Sequence, residues 1–220
     1  MNDKAESDGR GMGKNRIEAL TDGIFAVAMT LLVLDIKSPL HLRFETNEAL
    51  IEHLAVLEHS FVMYAISFVV LAMFWLGHHL QFHFVRHVDR KLLWINLAFL
   101  LFAVVVPFST NLMGDHGHLQ LPAVLYAVNL LVLTLLLFVQ LRHLGASPHL
   151  TAPDLTREAI VHLHRQLLLF GVVPTVSIAA SFYSPRLGMY FYTLLAVPAF
   201  LPGRIDRLTR VETDGNKPAS

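Results

Sequence analysis

A buried-looking acid stands near the start of a membrane-length apolar run. From Arg16 to Ile36 the chain reads RIEALTDGIFAVAMTLLVLDI, with Asp22 as that acid. A carboxylate inside such a helix is expensive unless it faces protein or water and has a partner, so Asp22 reads as an anchoring group. At 100° per residue, Leu20, Gly23, Val27, Thr30, Leu31 and Leu34 fall within about 60° of one line, and Asp22 points about 140° away from Val27. One face is therefore apolar with a single hydroxyl, and the other carries the carboxylate. The histidines are the second chemical candidate. There are 13, and His79, His83 and His87 recur every fourth residue, a spacing that lines one side of a helix and suits a metal ion. The run Asp115-His116-Gly117-His118 has the composition of a weak zinc site. Histidines at helix ends in the membrane interface account for the same pattern, and no metal site is assigned. The absence of cysteine excludes disulfides, thiolate metal sites and thiol nucleophiles.

The elements that position these groups are apolar helices. Of 220 residues, 54% are hydrophobic and 15% charged, against roughly 25% charged in ordinary soluble domains, and the mean hydropathy is +0.52. Acids and bases balance at 17 each, which gives no reason to expect a nucleic-acid partner. A span needs about 20 apolar residues. Six segments meet or approach that length: Arg16 to Ile36, Ser60 to Leu80, Leu92 to Leu112, Leu121 to Leu141, Leu167 to Tyr183, and Leu187 to Pro202 as the weakest. Pro107, Pro174 and Pro198 fall inside three of them, which is tolerated where neighbours re-satisfy the backbone. Residues 1–15 read as a flexible polar tail, 16–203 as the membrane domain and 204–220 as a disordered tail. Pro39 to Leu57 reads as an amphipathic surface helix, and Thr151 to Glu158 as a helix start.

Six crossings put both termini on one side. That side collects 14 of the 17 basic residues, leaving Lys37, Arg43 and Arg186 opposite, so both termini are expected in the cytoplasm of a multi-pass cell-membrane protein. Asp35, at the outer end of the first helix, is placed either to draw cations or to end the helix in solvent.

No Thr-Val-Gly-Tyr-Gly run occurs, which excludes a carbonyl-ring potassium filter. Neither nucleotide-binding glycine pattern occurs. The first helix instead resembles that of the transmembrane protein 175 family of potassium channels, whose hallmark is Arg-x-x-x-Phe-Ser-Asp. Here the run is Arg16-x-x-x-Leu20-Thr21-Asp22, followed by Phe74-Trp75-x-x-His78-His79, Trp94-x-Asn96-Leu97 and Pro107-Phe108-x-Thr110. The resemblance implies an all-α, six-span prokaryotic unit that forms a homotetramer in the lipid bilayer around four copies of the first helix. It implies pore-lining residues at Val27, Thr30, Leu31 and Leu34, on the face that the helical arithmetic selects. It also implies a structural polar network in which Arg16, Thr21 and Asp22 bond to His79, Trp94 and Asn96. The expected activity is leak-like, potassium-selective conduction past apolar rings, with potassium ions as the permeant species, no cofactor and no enzymatic step. Two other classes remain open on the residues alone. One is a secondary cation or proton transporter; the other is a histidine-dependent membrane metalloenzyme.

Overall fold

The structure, a computed structural model, describes residues 13–34, 36 and 43–192, with backbone alone at Arg186 and Met189. The expected amino-terminal tail up to residue 12, Asp35, the greater part of the expected sixth span and the carboxy-terminal tail lie outside the described residues. Among the described residues eight α-helices follow in order: α1 (Lys14–Leu34), α2 (Asn47–Val56), α3 (Glu58–His83), α4 (Arg90–Ala103), α5 (Val105–Asp115), α6 (Gln120–Ala146), α7 (Arg157–Ser181) and α8 (Pro185–Tyr190). Among the described residues the sole β-type pairing is an isolated bridge between Val85 and Thr151.

Among the described residues five segments are long and apolar enough to cross a membrane: α1, α3, α4 with α5, α6 and α7. Their ends differ from the sequence expectation by a few residues, except in the fifth. There the helix begins ten residues earlier, at Arg157, because the Thr156 hydroxyl caps it by accepting from Ala159 N–H at 3.2 Å. The expected surface helix between the first two spans is α2, shorter than anticipated and capped by Thr46 on Ala49 N–H at 3.2 Å. Its Ile51 and Val56 side chains are exposed.

Two prolines shape the spans in different ways. Pro107 has no N–H to offer Ala103, and the third span breaks next door at Val104, dividing α4 from α5. Pro174 lies inside α7 and leaves the Phe170 carbonyl without its usual amide. Thr134 of α6 supplies the missing donor, its hydroxyl lying 3.2 Å from Phe170 O.

The connections alternate between two ends of the bundle. At one end Arg86 N–H donates to Leu150 O and Ala152 N–H to Phe84 O, both at 2.8 Å, tying the α3–α4 loop to the α6–α7 loop. At the other end His59 packs against Gly117 in the α5–α6 turn, where a Cβ would sit 2.3 Å from His59 Nε2. The main core lies between, around Phe25, Phe74, Phe99, Tyr126, Leu133 and Phe170. In lipid such packing gains from van der Waals contact and buried hydrogen bonds, since the tails are as apolar as leucine.

Candidate functional site

The two faces of α1 have opposite fates. Ile17, Thr21, Phe25, Ala28 and Leu32, spaced three or four apart, are buried against the bundle. Val27, Leu31 and Leu34 are 55%, 41% and 74% exposed, and Thr30 is exposed beside them. Along this face the Thr30 hydroxyl donates to Val27 O at 2.8 Å. Its proton is thereby spent on the helix, which leaves oxygen lone pairs free to meet a cation. Gly23, on the same face, has nothing within 4 Å of where a Cβ would lie.

The buried face carries the polar contacts. Thr21, 1% exposed, meets Asn96 of α4, whose Nδ2 donates to the Thr21 hydroxyl at 3.4 Å. On the other side of the amide, Asn96 Oδ1 lies 2.8 Å from His78 Nε2 of α3. An amide oxygen only accepts, so Nε2 carries the hydrogen there. The His78 ring is sandwiched between Phe82 at 4.3 Å and Phe99 at 5.4 Å, both stacked. Three spans are thus joined through one amide. Asp22, on the rim of the buried face, accepts from Trp75 Nε1 of α3 at 2.8 Å. His79 stacks on that indole at 5.7 Å.

The expected network therefore comes together in part. Asn96 reaches Thr21, and Asp22 has a partner. His79 makes no bond to α1, because His78 occupies the inward position, and Trp75 stands where Trp94 was expected. Trp94 is 60% exposed on α4, and Arg16 is exposed on α1. Among the described residues neither side chain finds a polar partner within the subunit. The helical periodicity of α3 could have found His78. Ser67, Leu71, Phe74, His78 and Phe82 form one buried line, and His79 is rotated 100° out of it.

The metal reading loses its geometry. The α3 helix ends at His83, so His87 does not extend the line of His79 and His83. Among the described residues no three histidines or acids stand close enough together to hold a metal ion.

Comparisons with known proteins converge. Residues 16–107 match the family described as endosomal/lysosomal potassium channel TMEM175. A potassium channel of Chamaesiphon minutus is 31% identical over 185 residues, covering 83% of this chain and 91% of the relative. A potassium channel of Streptomyces collinus is 29% identical, covering 83% of this chain and 89% of the relative. The crystal structure of the Chamaesiphon minutus TMEM175 homologue, titled a lysosomal potassium-selective channel homologue, superposes with a TM-score of 0.71 at 28% identity. That match covers 84% of this chain and 94% of that one. The human relative, 30% identical over 103 residues that make up 20% of its length, is named a proton channel. These relatives are channels rather than enzymes, and on this likeness the chain, an all-helical multi-pass membrane protein, belongs to the TMEM175 family of potassium channels.

Proposed function

We propose that this chain conducts potassium passively, as a homotetramer in which four copies of α1 surround the pore. Val27, Thr30, Leu31 and Leu34 then line it, and the apolar rings form a constriction that gates by narrowing and dewetting. A carbon-lined passage disfavours the ion that holds its water more tightly, which is the reason for preferring potassium to sodium. The observation that carries the reading is the exposure of this face on a helix whose opposite face is pinned to α3 and α4.

A neighbouring stripe supports the assembly. Trp94, Leu101 and Phe108, seven residues apart, are each at least 60% exposed. The stripe adjoins the pore face, since Leu31 shares a groove with Val104 and Phe108. It offers an apolar contact to the next subunit, and it gives Trp94 a role between subunits that it lacks within one. The basic loops put both termini in the cytoplasm of a cell-membrane protein.

Cysteine accessibility tests the lining, because the chain has no native cysteine to confuse it. In tetramers carrying Val27→Cys, Leu31→Cys or Leu34→Cys, a thiol reagent should lower the potassium current several-fold. Met29, partly buried against the core, is the comparison site. Block at Met29→Cys alone would overturn the assignment.

A further inference from the structure

We propose that the groove between α6 and α7 seats one acyl chain of an anionic phospholipid, whose phosphate is held at the groove's mouth by Arg142, Arg157 and Arg165. The inference does not depend on the pore reading.

The groove has a volume of about 510 Å³ and runs along two membrane-length helices, past Leu135, Phe138, Leu168 and Val172. Gly171 opens it, since a Cβ there would meet only Thr134 Cγ2, at 3.8 Å. Its few polar groups are already engaged. The single Thr134 O–H is shared between Leu130 O at 2.9 Å and Phe170 O at 3.2 Å, and Thr175 donates to Gly171 O at 2.8 Å. His164 Nδ1 lies 2.9 Å from Ile160 O, with its ring edge-on to Phe138. Such a wall offers a ligand methyls and ring faces rather than hydrogen bonds, and within a bilayer the abundant ligand of that chemistry is a lipid tail.

Charge fixes the class of lipid. Arg157, Val161 and Arg165 follow one another at four-residue spacing on α7 and lead into Leu168 and Val172 along the same side. Arg142 stands one turn beyond Phe138 on the facing flank of α6. All three arginines are exposed, and Arg157 and Arg165 share a hollow with Glu158, Val161 and His162. Basic groups at one end of a span-length apolar groove match the shape of a phospholipid with an anionic head.

Native mass spectrometry of the purified full chain tests the proposal, with phosphatidylglycerol and phosphatidylcholine titrated in turn. Phosphatidylglycerol should be retained preferentially, with about fivefold weaker retention for each arginine replaced by glutamine. Glu158→Gln, which removes a repelling charge, should strengthen it, and this variant serves should the arginine variants fail to fold. Gly171→Leu should displace the tail and weaken both lipids. In delipidated protein Val172→Cys should react readily with a maleimide and be protected by phosphatidylglycerol. Equal retention of both lipids, or retention unchanged in the arginine and Glu158 variants, would sink the idea. So would unchanged binding by Gly171→Leu. Protection of Val172→Cys without any lipid would give the groove to another occupant, either residues 193–203 of this chain or a second copy.

Discussion

At the residue scale the account turns on Asn96. Its amide accepts from His78 with the oxygen and donates to Thr21 with the nitrogen, so a single side chain fixes the rotation of α1 relative to α3 and α4. That rotation decides which side chains of α1 remain outside the bundle. Asn96→Ala would strand the His78 N–H and the Thr21 hydroxyl in a buried position, with a stability cost of about 1–2 kcal/mol. Thermal denaturation in detergent should show the loss. Trp75→Phe removes the bond to Asp22 and trims the stack on His79, both on the rim, and should cost less; equal costs would mean that the amide does not organise the junction. Thr21, Asp22 and Asn96 were legible from their types and positions. Trp75 in place of Trp94 was not, since that choice requires the register in which two helices meet. His78 in place of His79 was within reach of the periodicity of α3, because neighbouring helical positions differ by 100° and His78 continues the buried line.

At the scale of elements, apolar length and the helix caps explain most of the architecture. Five long helices were legible because twenty apolar residues have few other uses. The break at Val104 was less so, because Pro107 removes one amide without dictating where the helix parts. The helix start within Thr151 to Glu158 was legible, though not that the helix it opens runs on into the fifth span. Asp89 gives α4 a comparable start. Its carboxylate accepts from Leu92 N–H at 2.7 Å and lies 2.9 Å from His143 Nε2 at the end of α6. Burial pushes its pKa up, but these two partners outweigh it and hold the group below its ordinary value. The sign follows from linkage. A carboxylate with a lowered pKa adds stability above its unfolded pKa, and that stability is lost as pH falls through the folded one. Acidification below the ordinary value of 3.8 should therefore destabilise the native chain more than Asp89→Ala. The variant itself should cost about 1 kcal/mol at neutral pH through loss of the cap. Parallel acid-denaturation curves for the two would contradict this role.

At the scale of the whole molecule, α1 is held to the bundle by one face and leaves the other exposed. The α1 face and the stripe of Trp94, Leu101 and Phe108 are both apolar, adjacent and unpartnered within the subunit. In the proposed tetramer the stripe would meet the next subunit and the α1 face would line the passage, with Thr30 as its hydroxyl. On that reading conduction needs no coupling to a second reaction. The most direct measurement is ion flux through the purified full chain in liposomes, with potassium replaced in turn by sodium and caesium and with internal pH followed alongside. The account predicts flux that runs down the potassium gradient, falls when sodium replaces potassium and needs no compensating proton movement. Flux carried by protons alone, or equal for sodium and potassium, would contradict it.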